Sequence, residues 1–216
     1  DSAELNVGGV ATFMSATGTN VILDTAANTF GSTVSFVASA GTLADVTIVD
    51  DTVLDLQALT ITGDLVATGA GLTQSGALVV ATGTSTLTVT TTDLLTLDNA
   101  ANDFDTVLLS SGTGTVTLVD ADDIDLGASS VGGALNVTAT SGAITDSGAV
   151  DVTGAATFTA GTNVILDTAA NTFGSTVSFV GVGGPLGNVT IVDDTALDLQ
   201  ALTITGDLVA MGAGLV

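Results

Sequence analysis

Hydrophobic and polar residues alternate in short runs along the whole chain, and glycine, asparagine, aspartate or serine closes most of them. Val21-Ile22-Leu23, Val34-Ser35-Phe36, Val46-Thr47-Ile48-Val49, Leu54-Asp55-Leu56, Leu59-Thr60-Ile61-Thr62 and Leu65-Val66-Ala67 are typical. Runs with a period of two, rich in Val, Ile, Leu, Thr and Phe, predict short strands with one face buried. No segment keeps an apolar stripe at i, i+3, i+4 and i+7 through three turns, so the pattern predicts essentially no helix. Residues 65–92 carry no charge, but Thr, Ser, Gly and Gln interrupt them too often for a membrane span.

The runs recur. Residues 18–72 and 161–215 are identical at 47 of 55 positions without a gap, and both begin GTNVILDTAANTFGSTVSFV. A divergent copy lies between them. QSGALVV from Gln74 answers DSGAVDV from Asp146 and DSAELNV from Asp1; LDNAANDF (97–104) answers LDTAANTF (23–30 and 166–173). VTLVDADDIDLG (116–127) answers VTIVDDTVLDLQ (46–57) and VTIVDDTALDLQ (189–200). Cutting there gives three units of nearly equal length, 1–73, 74–145 and 146–216. The A-B-A order, and a final MGAGLV where unit 1 runs on through GAGLT, are expected of an excerpt from a longer array with atypical caps elsewhere.

Two all-β architectures compete for such a repeat. An immunoglobulin-like sandwich of about 72 residues would be unusually small, and it wants longer strands and a buried Trp or Tyr, both absent here. A parallel β-solenoid wants short strands, Gly/Asn/Asp corners and small stacked side chains. The second fits. The expectation is one continuous all-β solenoid with about three coils per unit, roughly 20–28 residues each, and a rod on the order of 43 Å long at about 4.8 Å per coil.

Composition narrows the chemistry. The chain carries 23 acidic residues, no Lys, Arg or His, and a formal charge of −23, yet 46% of its residues are hydrophobic. That is too apolar for an acidic disordered tail. Without a basic residue nothing neutralises phosphate, which excludes nucleic acid and anionic membrane surfaces as partners. No cysteine means no disulfide and no thiol chemistry. Asp1-Ser2-Ala3-Glu4 has neither the basic nor the apolar region of a signal peptide, consistent with a mature segment of something longer.

The segment ITDSGAVDVTGAATFTAGTNVILDTAANTFGSTVSF (144–179) resembles the repeats of very large bacterial β-strand-repeat proteins, themselves similar to filamentous-haemagglutinin-type exoproteins. The resemblance runs through the whole chain in elements such as ATFTAG and LxxAxNxF. It implies a secreted, fibrous β-helix at the bacterial cell surface, used for adhesion, matrix building or coating. The chain departs from the pattern in having no basic residue.

Four constellations carry candidate chemistry. Asn28, Asn102 and Asn171 each precede a phenylalanine by two residues (Phe30, Phe104, Phe173). The expected arrangement is a sharp corner, with the Asn in left-handed geometry and its amide bonded to neighbouring backbone, and the Phe in the core alongside Phe36 and Phe179. Aspartates recur as Asp50/Asp51/Asp55, Asp120/Asp122/Asp123/Asp125 and Asp193/Asp194/Asp198. The plain reading is a solvated turn. The densest group, Asp120, Asp122, Asp123 and Asp125, is the one candidate for weak calcium binding, although neither the EF-hand pattern nor the GGxGxD ladder is present. Threonine runs such as Thr86-Leu87-Thr88-Val89-Thr90 suggest an outward hydroxyl ladder able to order water. Unit 2 interrupts it, with Ser130-Val131-Gly132 in the place of Thr60-Ile61-Thr62. Asn136-Val137-Thr138 and Asn188-Val189-Thr190 are formal glycosylation sequons.

An enzyme is not expected. Paired aspartates such as Asp50/Asp51 or Asp122/Asp123 could mimic a glycosidase pair, but a pair repeated in every unit speaks for architecture. No Arg, Lys, His or Tyr exists to polarise a substrate, and no GxGxxG or GxxxxGK loop to hold phosphate. The sequence therefore points to a structural filament segment that needs no cofactor. Its expected partner is itself, head-to-tail along the axis or laterally between rods, without membrane insertion. An adhesive stalk touching glycan, a calcium-dependent surface or ice is the alternative.

Overall fold

Strands this short cannot bury their apolar face alone, so stability requires each to lie on the next. The computed structural model, which describes residues 1–92 and 94–216, shows that stacking. It contains no helix, is about 54% strand, and winds as a β-solenoid of about ten turns. Both long sheets are built from parallel neighbours, each strand pairing with the strand one turn earlier and one turn later.

The first face stacks eleven strands in chain order: Ala11–Ser15, Val34–Ala38, Val53–Leu56, Gly71–Gln74, Leu95–Leu97, Val116–Asp120, Leu135–Ala139, Ala156–Ala160, Thr176–Gly181, Ala196–Leu199 and Gly214–Leu215. The second face stacks ten: Val21–Leu23, Val46–Val49, Leu65–Gly69, Leu78–Val89, Asp103–Ser111, Ile124–Leu126, Ile144–Asp146, Val164–Leu166, Val189–Val192 and Leu208–Met211. Short strands such as Thr29–Phe30, Leu59–Thr60, Val150–Val152 and Thr172–Phe173 close the edges between the two.

Alternation decides what enters the core. In Leu135–Ala139 and Ala156–Ala160, residues 1, 3 and 5 are buried and the two between them are not. The inward residues form one hydrophobic column along the axis. Phe13 stacks on Phe36 with ring centroids 5.7 Å apart and meets Phe30 edge-on at 5.8 Å; Phe158 repeats this with Phe179 at 5.8 Å and Phe173 at 6.0 Å. In unit 2 the stacked pair is replaced by Leu87 over Leu109, both buried.

The unit does not close on a whole turn. From Ala11–Ser15 to Ala156–Ala160, its counterpart two units later, the first face advances seven steps. Each unit therefore takes three and a half turns, and unit 2 is turned by half a revolution. Val46–Val49 and Val189–Val192 lie on the second face, whereas their counterpart Val116–Asp120 lies on the first. Val21–Leu23 and Val164–Leu166 lie on the second face, and Leu95–Leu97 lies on the first. Phe30 and Phe173 accordingly sit on one edge of the rod and Phe104 on the other.

The corners are tight. A Cβ on Gly154 would come within 2.5 Å of the Gly133 carbonyl oxygen one turn below, so a side chain there would force the turns apart. Left-handed backbone occurs only at Gly18, Gly41 and Gly183 among the described residues. Asn28, Asn102 and Asn171 do not adopt it. The left-handed part of the expectation is corrected; the other part stands, since each Asn side chain bonds main-chain groups.

Candidate functional site

The corner motif begins where an inward strand ends in Leu-Asp. A reverse turn follows, closed by the Asn N–H donating to the carbonyl three residues back: Asn28 to Thr25 at 3.0 Å, Asn102 to Asn99 at 3.1 Å, Asn171 to Thr168 at 3.2 Å. This aims the Asn side chain inward, where it is fully buried. Its Oδ1 accepts a main-chain N–H from the turn below: Leu5 at 2.9 Å, Leu78 at 2.9 Å and Val150 at 2.8 Å. In unit 2 the Asn102 Nδ2 donates to the carbonyls of Leu97 and Val119 at 3.2 and 3.1 Å.

Two residues on, the Phe main-chain N–H donates upward to a carboxylate in the next turn. The pairs are Phe30 to Asp50 at 3.2 Å, Phe104 to Asp120 at 2.7 Å and Phe173 to Asp193 at 3.2 Å. Each of these aspartates also accepts the N–H two residues ahead, from Thr52, Asp122 and Thr195. One corner thus clamps three successive turns, with Asn reaching down, Asp reaching from above and Phe filling the space between.

The sequence reading missed the residue that seats the Asn. It opens units 2 and 3, as Gln74 and Asp146; Asp1, at the same place in unit 1, instead accepts from the Thr25 N–H at 3.2 Å and the Thr25 hydroxyl at 3.0 Å. Gln74 exchanges hydrogen bonds with the Asn102 amide at 2.7 and 2.9 Å, and Asp146 Oδ2 accepts from Asn171 Nδ2 at 2.6 Å. Burial raises the Asp146 carboxyl above its ordinary value, with the Asn171 hydrogen bond opposing the shift. The repeated unit-opening residue was the available signal. A second ladder runs up another corner, where Asn20 Oδ1 accepts from Asp45 N–H at 3.2 Å and Asp45 Oδ1 from Asp64 N–H at 2.9 Å.

The expected solvated acidic turn is corrected as well. The first aspartate of each group, Asp50, Asp120 or Asp193, is buried, and only its successors face water. Asp50 and Asp193 each keep one buried carboxylate oxygen with no hydrogen-bond partner. Desolvation pushes the Asp120 carboxyl up to about 6, against the lowering effect of the Phe104 and Asp122 N–H groups. Asp103 is raised by desolvation and by repulsion from Asp122 and Asp105.

The four calcium candidates are sent to separate tasks. Asp120 points inward to its two N–H donors, Asp122 is exposed on the turn, and Asp123 Oδ1 accepts from Ala143 N–H at 2.6 Å. Asp125 lies on the outer side of its strand, accepting from Thr145 Oγ1 at 3.1 Å and from Ser147 Oγ. Among the described residues no three acidic side chains are grouped to hold a metal ion. One open hollow is lined by Val53, Gly71, Thr73 and Leu94, another by residues including Phe179, Gly184, Pro185 and Ala201, and among the described residues no carboxylate lines either.

The hydroxyl ladder forms from other residues than the runs suggested. On the first face Asp55, Thr73, Thr96, Thr117, Asn136, Thr157 and Ser178 stand directly above one another. The sequon residue Asn136 is part of this row, and Asn188 Oδ1 is engaged by Asp207 N–H at 2.9 Å.

A family described as repeats of unknown function (DUF5649) matches residues 1–37, 43–111 and 113–180. The chain belongs to this repeat family. The second and third family matches begin at positions 43 and 113, the corners before the equivalent strands Val46–Val49 and Val116–Asp120. The family repeat therefore also spans about three and a half turns. Every part of the corner clamp lies inside a matched segment except Asp193 and its turn. No curated protein and no solved structure matches the chain.

Proposed function

We propose that the chain is a structural segment of a bacterial extracellular fibre or surface filament, of the kind found in filamentous-haemagglutinin-like repeat proteins. Continuity carries this reading. One apolar column runs from Ala11 to Leu197, and each polar constellation recurs as a clamp between turns rather than as a cleft. Such a rod transmits load through parallel main-chain ladders and through clamps that must break together. This role calls for no catalysis and no cofactor. The test is immunogold electron microscopy of the native cells with antibody against this chain. Label along surface filaments is expected; label confined to the cell interior contradicts the proposal.

The row from Thr73 to Ser178 favours a second role, adhesion. Six uncharged hydroxyl or amide side chains at strand spacing present a flat hydrogen-bonding strip to a repetitive surface such as glycan or ice. Thr117→Asp and Thr157→Asp together should abolish such binding while leaving the circular dichroism spectrum unchanged.

A further inference from the structure

We propose that the first face is a lateral docking surface for the first face of a second copy of this chain, the two rods lying face to face about a twofold axis. The proposal rests on the filament reading and names the contact between neighbouring rods. Charge points to this face. Between Asp55 and Asp198, six successive first-face strands, from Gly71–Gln74 to Thr176–Gly181, present no charged side chain outward. Asp120, the one carboxylate within them, is buried. Elsewhere Asp45 and Asp64 lie in a corner ladder, Asp122 and Asp194 are exposed on corner turns, and Asp151 faces out from the short strand Val150–Val152. The second face carries Asp125 on its outer side. Exposed apolar side chains point to the first face as well. Outside the first and last turns, the large ones among the described residues are Val37, Val53, Leu94, Val180 and Val182, each on a first-face strand or next to one. Val53 and Leu94 stand on either side of Gly71, whose missing side chain leaves the hollow they line with Thr73. An aliphatic side chain of the partner fits there.

A second copy is the occupant these observations select. Each copy carries −23, and contact through this face sets no row of carboxylates against another. Its Thr, Ser and Asn side chains both donate and accept, so the row meets its own copy with partners of both kinds. Corner carboxylates of the two rods stay at the rims, where a screening length of about 8 Å at physiological ionic strength weakens their repulsion. The area is sufficient. Eight strands, from Val34–Ala38 to Thr176–Gly181, cover roughly 650 Å² per copy at about 4.8 Å per step and about 17 Å per five-residue strand. The pair then buries about 1,300 Å², within the range of stable protein interfaces. Adhesion through the same hydroxyl row and pairing between rods are competing uses of this face.

Single spin labels at Asn136→Cys on the first face, or at Thr86→Cys on the second, read the contact in a protein with no cysteine of its own. Sedimentation of the unmodified chain should show a dimer that strengthens toward about 1 M salt, where the screening length is about 3 Å. In that dimer the labels at position 136 should lie within about 25 Å of each other, because packed sheets are about 10 Å apart. Labels at position 86 should lie beyond about 30 Å, with both rods between them. Asn136→Asp, which adds a charge at almost unchanged size, should keep the β-spectrum and weaken dimerisation by about tenfold or more. Thr86→Asp, the same charge on the other face, should leave it unchanged. A chain that stays monomeric at high salt overturns the proposal, even if this face then binds polysaccharide or ice. Assembly indifferent to Asn136→Asp, or with labels at position 136 no closer than those at position 86, overturns it too. Interior immunogold label with face-dependent pairing would refute the surface role alone; surface label on a strictly monomeric chain would refute this contact alone.

Discussion

The main-chain N–H of Phe104 donates to Oδ2 of Asp120, 2.7 Å away and one turn further along the axis. Asp120 is fully buried, and its carboxyl is pushed up to about 6 by desolvation. Folding therefore favours the protonated form. The stability this group contributes is complete below the ordinary carboxyl value near 3.8 and is lost as pH rises through about 6. Asp103 and Asp146 are raised as well and act in the same direction. The melting temperature should fall between about pH 4 and pH 7, and Asp120→Asn should flatten part of that slope whatever its absolute stability. Parallel pH profiles for the two proteins check the assignment.

Asn102 satisfies groups in three turns at once. Asn102→Ala leaves the Leu78 N–H and the Leu97 and Val119 carbonyls without it, and should cost about 2–4 kcal/mol in urea denaturation. Thr138→Ala, on the outer surface, should stay within about 0.5 kcal/mol. Equal costs would remove the clamp from the account.

Phe104 is buried and lies in unit 2, where the stacked phenylalanines of the other units are replaced by leucines. Phe104→Ala should cost about 3–5 kcal/mol. Phe158→Leu paired with Phe179→Leu copies what unit 2 already does, and should cost under about 1.5 kcal/mol per site.

Calcium should act on this protein only as a salt. Asp123 and Asp125 are each engaged by groups of the following turn, and among the described residues no third carboxylate joins them. A chelator should leave the melting temperature unchanged, and calcium and magnesium at equal ionic strength should raise it equally. A calcium-specific rise would reinstate the turn at Asp120–Asp125 as a metal site.

Much of this was legible in the sequence. Alternation in runs such as Leu135–Ala139 announces strands, and the recurrence of Asn28, Asn102 and Asn171 ahead of Phe announces corners. Two features were hidden. The doublet Asp50-Asp51 looks uniformly hydrophilic, yet a main-chain N–H in another turn draws the first carboxylate inward, and that partner is 20 residues away in sequence. The half-turn offset was hidden because turns differ in length: Ala11 pairs with Val34, whereas Leu56 pairs with Gln74, a shorter step along the chain. The longer step contains the reverse turn from Thr25 to Asn28 and the shorter one does not, and hydrophobic period alone does not specify where that turn falls.

The half-turn is the central claim, because it makes the rod two-sided, each repeat showing on one face what its neighbour shows on the other. It is tested most directly by electron–electron distance measurement between spin labels at Thr47, Thr117 and Thr190, outward residues of the three equivalent strands. Thr47 and Thr190 share a face seven steps apart, predicting about 34 Å at about 4.8 Å per step. Thr47 and Thr117 lie on opposite faces, so sheets about 10 Å apart with outward labels predict on the order of 25–30 Å. A Thr47–Thr117 distance of about 17 Å, the axial rise alone, would place all three units on one face and contradict the account.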